Sequence, residues 1–301
     1  MSDFLQRIAS APISWGICEV PGWGAMLPTQ RVLSEMSGLG LSATELGAPG
    51  FLPDAPDEVA AMLCAVNMTL IGGFTPLVAH DRSQEAKSIA QARKIAALFQ
   101  AAGATKFITA AVTDWGWAEP HPPTAEELKQ MNKIFGIVDE ICAEHGLEQV
   151  LHSHVLTMVE TDSDLQKVLE TCDVHWCLDT GHLVIGGTDP VEFATVAFDR
   201  VGHVHLKDVD LSKVGPVMRR EKSIMQGVQD GLFTELGQGD VDIAGVIEAL
   251  ESRGYQGWYV IEQDTAITDG MPAVGEGPIR QVTNSLNFLK STVAPRINVG
   301  A

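Results

Sequence analysis

Four short segments of the chain, each closing an apolar, strand-like run, end in residues that ligate metals: Val-Leu-His152-Ser-His154, Cys-Leu-Asp179-Thr-Gly-His182, Gly-His203-Val-His205-Leu-Lys207 and Tyr-Val-Ile-Glu262. His152 and Asp179 lie 27 residues apart, and Asp179 and His205 lie 26 apart. That pitch is about one strand-plus-helix unit. A chain that sets one His, Asp or Glu at the end of successive parallel strands converges them at one mouth of a barrel, where a metal can be held.

The rest of the chain keeps this rhythm. Short β-type runs alternate with helix-period segments, as expected of parallel strands joined by crossover helices. Strands are predicted at 11–15, 43–46, 69–73, 106–110, 149–152, 175–178, 203–206 and 258–261, with helices at 28–37, 83–102, 124–145, 162–171, 190–198, 243–252 and 279–291. Thr124-Ala-Glu-Glu127 reads as a capping box. Gly103, Gly146 and Gly254 sit where helices hand over to strands, which favours a residue tolerant of positive φ. The expected fold is an α/β class (β/α)8 TIM barrel occupying residues 1–301 as one domain, a length such barrels reach. One connection is out of proportion: residues 209–240 separate the seventh predicted strand from its helix, and a loop that long at the active end of a barrel reads as an active-site cover.

Composition narrows the partners. A net charge of −19 repels phosphate backbones, so nucleic acid is not an expected partner and a multi-metal nuclease is disfavoured. No apolar run approaches the roughly 18 residues that suggest a membrane span. The N-terminus has no basic region followed by an apolar stretch, so a cytoplasmic location is expected. The five cysteines are odd in number and form no C-x-x-C pair, consistent with reduced thiols. An assembly of identical chains is compatible with all of this.

Side chains alternate along a strand, so His152 and His154 face one way, as do His203, His205 and Lys207. A single strand histidine is most often a satisfied core residue; two His-x-His pairs and an Asp-x-x-His at barrel pitch are not. Glu262 and Asp179 each follow buried-strand sequence, where an unpaired carboxylate costs several kcal/mol, roughly, and a cation removes that cost. His182 is placed to reach the mouth and contact a substrate. Trp15 and Glu45, each near the end of an early strand, are weaker candidates for an apolar wall and a hydroxyl partner.

These segments resemble the xylose isomerase-like barrels, a group that includes sugar isomerases, epimerases and inosose dehydratases. The resemblance runs over nearly the whole chain. Leu-Asp179-Thr-Gly-His182, His205-Leu-Lys207-Asp208, Gly231-Leu-Phe-Thr-Glu-Leu-Gly-Gln-Gly-Asp240 and Tyr-Val-Ile-Glu262-Gln-Asp264 are most similar to the inosose dehydratases. It implies Asp179, His205 and Glu262 as metal ligands. Epimerases of the group carry a glutamate on the fifth barrel strand, where this chain has His152, as the dehydratases do. With His152 as fourth ligand the site holds two imidazoles and two carboxylates, a mixed N/O set suited to Mn²⁺ or Co²⁺, with Zn²⁺ also accommodated and Ca²⁺ disfavoured.

The implied activity is metal-dependent dehydration of a keto-inositol, a small polyol substrate, with Glu262 as base, His182 or Lys207 as acid or hydroxyl clamp, and His154, Trp15 and Glu45 as further substrate contacts. The alternative is a sugar or inosose isomerase or epimerase working through a metal-bound enediolate. An epimerase wants two bases, and here one of the two glutamates is replaced. A non-catalytic polyol-binding barrel is a third reading.

Overall fold

Backbone pairing gathers the apolar runs into one closed layer. The computed structural model describes residues 3–297. Its strands are β1 (Ile8–Ser10), β2 (Ala43–Thr44), β3 (Thr69–Leu70), β4 (Phe74–Leu77), β5 (Lys106–Ala111), β6 (Glu148–His152), β7 (His175–Asp179), β8 (Val201–Leu206), β9 (Asp208–Val209), β10 (Phe233–Thr234) and β11 (Tyr259–Ile261). Nine of them form one parallel sheet in the order β3-β2-β1-β11-β8-β7-β6-β5-β4. The two ends of that order, β3 and β4, are one run of chain broken only at Ile71-Gly72-Gly73. Leu46 N–H donates to Gly72 O on one side (2.9 Å), and Lys106 N–H donates to Ile71 O (2.9 Å) on the other. The sheet therefore closes on itself as a TIM barrel. Gly72 permits the closure, because a Cβ there would stand 2.2 Å from Lys106 O.

Two predicted strands differ in detail. The first pairs at Ile8–Ser10 rather than 11–15. Ala11 N–H still donates to Ile261 O (3.1 Å), but Pro12 has no N–H to continue the ladder and opens a 3₁₀ turn over Pro12–Trp15. The third is interrupted, as above. Helices Pro56–Cys64 and Thr180–Gly186 were not evident in the apolar periodicity; the second is only seven residues long. The Thr124–Glu127 capping box forms, and Gly103, Gly146 and Gly254 all take positive φ.

Helices pack outside the barrel on a large apolar layer that includes Trp15, Phe99, Phe107, Phe135, Trp176 and Tyr259. The opposite strand face carries smaller clusters, Ile108 with Val150 and Cys177, and Ala9, Ala11, Ala43 and Ile71 with Val260. Small side chains on that face leave room for the polar layer above them.

Residues 209–240 are not a bare loop. β9 and β10 pair antiparallel, and short helices Val214–Met218 and Ile224–Gln229 lie between them. Asp208, buried at the root, anchors the returning chain. Its carboxylate accepts from the backbone N–H groups of Val209 (2.9 Å), Gly237 (2.8 Å), Gly239 (3.0 Å) and Val241 (3.1 Å). At the far end Arg220 pairs with Glu160 and with Glu119 (3.3 Å), on the loops that follow β6 and β5. Among the described residues no helix is long and apolar enough to cross a membrane.

Candidate metal centre

Register sets the site. Asp179 on β7 pairs level with His205 on β8, His152 closes β6 opposite Cys177, and Glu262 follows β11 directly, its N–H donating to Leu206 O (3.0 Å). One ligand atom from each of His152, Asp179, His205 and Glu262 falls within 4.8 Å of the others. His152 Nε2 is 3.4 Å and His205 Nδ1 3.6 Å from Asp179 Oδ2, and Glu262 Oε2 abuts His205 Nδ1. Three of the four residues are fully buried, while the Glu262 side chain keeps 15% of its surface exposed and so marks the open side.

The outer hydrogen bonds determine what these atoms offer. His152 Nδ1 faces Ser153 O (2.7 Å) and His205 Nε2 faces Glu45 Oε1 (2.9 Å). Both partners can only accept, so each ring places its N–H there and turns its other, unprotonated nitrogen inward. Asp179 spends Oδ1 on the N–H groups of Gly181 (2.9 Å) and His182 (2.8 Å), capping the short helix Thr180–Gly186, and aims Oδ2 at the centre. Asp179 Oδ2, His205 Nδ1 and Glu262 Oε2 are buried without a hydrogen-bond donor. Two imidazole lone pairs and two carboxylate oxygens pointing at one another fit a divalent cation, which is what relieves the repulsion among them. Burial opposes a second proton on His205, yet neighbouring Glu262 and Glu45 outweigh it and hold its pKa well above the ordinary value, so a proton and a cation compete for the inward Nδ1. The cluster thus calls for positive charge at its centre.

Beside the centre stands Lys207, fully buried, its Nζ 2.9 Å from Asp264 Oδ1, 3.6 Å from Asp179 Oδ2 and 3.8 Å from Glu262 Oε2. Burial works against its charge, but Asp179, Asp264 and Glu262 prevail and raise its pKa, so it stays an ammonium. His182 Nε2 is 3.1 Å from Lys207 Nζ, and the His182 ring lies 3.9 Å from that of His154. Burial pulls both histidines well below their usual pKa, so both are neutral at pH 7.

Trp15 and Glu45 lie elsewhere. Trp15 is buried in the outer layer with its indole N–H donating to Glu35 (2.9 Å), because the turn after Pro12 swings it away from the mouth. Glu45 sits behind His205 rather than in front of it, accepting from both His203 (2.8 Å) and His205 (2.9 Å) at one oxygen. The aromatic wall comes instead from Phe74 and Trp117, each 37% exposed, stacked with centroids 5.9 Å apart and both against His154. Asp264 and Phe233 also belong to the site, both against Lys207. The two-residue step from Glu262 to Asp264 was a legible signal for the first, whereas Phe233 reaches Lys207 (5.0 Å to the ring centroid) only through the fold of the 209–240 segment.

Barrel, mouth and ligand set together define a class. Residues 33–292 match the model of the xylose isomerase-like TIM barrel, and the chain belongs to that family. It is 32% identical to an inosose dehydratase of Geobacillus kaustophilus, over 87% of this chain and 89% of the relative, and 27% identical to one of Clostridium perfringens, over 87% and 92%. Among solved structures an L-ribulose 3-epimerase superposes with a TM-score of 0.70 over 97% of both chains at 16% identity, a likeness of fold.

Proposed function

We propose that this protein is a metal-dependent hydro-lyase that removes water from a keto-inositol, converting scyllo-inosose (2-keto-myo-inositol) to a trihydroxycyclohexane-dione. One observation carries the reading beyond the likeness to inosose dehydratases. Of the four converging ligands only Glu262 is a carboxylate open to the mouth, and the position at the end of β6 is filled by His152, whose Nδ1 is committed to Ser153 O. Proton removal from one ring face has its carboxylate base; the cluster holds no second open carboxylate to return it from the other.

His152, Asp179, His205 and Glu262 would hold the ion, Mn²⁺ or Co²⁺ by their mixed ligation, and a divalent ion there supplies Lewis-acid stabilisation of enolate charge. Glu262 takes the proton from the carbon beside the carbonyl. The Lys207 ammonium protonates the hydroxyl that leaves from the next carbon, so the C–O bond breaks and water departs. Glu262 then holds the abstracted proton with its Oε2 3.8 Å from Lys207 Nζ, and return through one bridging water restores the ammonium and closes the cycle. His154, kept neutral, offers its Nε2 to the substrate hydroxyls, His182 between Val155 N–H (3.3 Å) and Lys207 (3.1 Å) holds the ammonium in place, and Phe74 with Trp117 backs the ring. Residues 209–240, with Phe233 against Lys207 and Arg220 latched to Glu160, form the cover that keeps bulk water from the enolate.

The test is metal removal. Protein stripped with chelator is expected to lose turnover of scyllo-inosose and regain it on adding Mn²⁺ or Co²⁺; full activity of the stripped protein contradicts the reading.

A further inference from the structure

On the loops that follow β4 and β5, outside the four-ligand cluster, three other ligand-type residues converge. His80 follows β4, His121 lies in the loop after β5, and Glu127 opens the helix Ala125–Glu144; one ligand atom from each falls within 4.8 Å of the other two. Three separate stretches of chain bring them together. His121 Nδ1 faces Pro122 O at 3.2 Å, an acceptor only, so in the neutral ring the N–H is there and Nε2 is a lone pair. That lone pair points at Glu127 Oε1, 3.6 Å away. Glu127 uses its other oxygen in the capping box, accepting from Thr124 N–H (2.8 Å) and Thr124 Oγ–H (2.7 Å), which fixes the carboxylate and leaves Oε1 free to ligate. His80 Nδ1 is buried with no hydrogen-bond partner, and the His80 and His121 rings meet edge to face with centroids 6.1 Å apart.

We infer that His80, His121 and Glu127 bind a second divalent ion of the zinc type, independent of the centre at the barrel mouth. Two imidazoles and a carboxylate are a set that zinc accepts as three of its four ligands. His80 and Glu127 also border a cavity of about 490 Å³, shared with Arg82, Glu126, Lys129 and Lys133, which has room for water as a fourth ligand. Of the basic residues on that cavity, Lys133 is already paired with Glu85 (2.6 Å). A simple ion pair of protonated His121 with Glu127 accounts for the 3.6 Å contact but leaves His80 Nδ1 without a partner. Bound zinc would staple the loops after β4 and β5 to the start of their neighbouring helix.

The experiment titrates Zn²⁺ calorimetrically into the untagged, metal-stripped full chain and into His121→Ala and Glu127→Gln. Glutamine keeps the capping box and removes the charged ligand, so the second variant separates metal loss from misfolding. One bound ion fewer per chain in His121→Ala, and a weakened or missing site in Glu127→Gln, is the expected result, with the zinc-induced rise in Tm reduced in both. Equal stoichiometry and affinity in all three proteins overturns the inference. Because the readout is a difference between variants, it holds whether or not the barrel mouth takes zinc.

Discussion

A single oxygen illustrates how far the centre depends on residues that do not touch it. Glu45 Oε1 accepts from His203 and His205 together, and burial disfavours its charge, but His205 and His203 outweigh that and press its pKa down. The carboxylate therefore stays ionised and keeps the His205 N–H on Nε2, which is what turns Nδ1 toward Asp179 and Glu262. Glu45 is a positioning residue. Glu45→Gln is expected to lower affinity for Mn²⁺ by about 10- to 100-fold while leaving KM for the substrate at saturating metal little changed. Metal titration with activity as one readout and direct binding as the other checks it; unchanged metal affinity contradicts the role.

Elements, in turn, hold the centre level. At the barrel's opposite end Glu148 on β6 binds Lys106 on β5 and His175 on β7 (2.7 Å), lacing three strands whose upper ends deliver His152 and Asp179. Burial raises its pKa, but His175 and Lys106 prevail and the folded value is lowered. For a carboxylate so depressed, the stabilisation is present above its unfolded pKa, about 4.3, and is lost as pH falls through the folded value. With the side chain 37% exposed, solvent screening limits it to about 1 kcal/mol or less. Glu148→Gln should thus lower Tm at pH 7 and match the wild type near pH 3; an equal deficit at both pH values argues against this linkage. On the cover, Asp208→Ala removes the acceptor for four backbone N–H groups and should cost roughly 2 to 4 kcal/mol, with faster amide exchange across 232–241. Unaltered exchange there would show that the segment is anchored some other way.

The same elements explain what could be read in advance. His152, Asp179, His205 and Glu262 converge because strand alternation and a constant strand-to-strand pitch are properties of sequence, so their common face needed no coordinates. Trp15 and Glu45 depended on where the first two strands end. Pro12 moved one end, and the other put Glu45 on the far side of His205. The Phe74–Trp117 wall rests on a broken third strand and on Trp117 at φ 59, neither of which leaves a periodic mark.

At the scale of the whole molecule, a closed parallel barrel with a polar mouth, a structured cover and an acidic exterior is organised around one open carboxylate. An acidic surface favours a neutral polyol over a phosphorylated sugar, and at the mouth the charge of Lys207 is already shared among Asp179, Asp264 and Glu262. On the proposed function, His152 in place of a second glutamate is what separates expelling water from moving a proton across a ring. The decisive measurement follows the Mn²⁺-loaded protein with scyllo-inosose by ultraviolet absorbance and identifies the product. A rising absorbance of the enolised dione, with one water lost per turnover, is the expected result. A flat trace with solvent hydrogen exchanged into intact inosose, or with ketohexoses interconverted instead, would contradict the central claim.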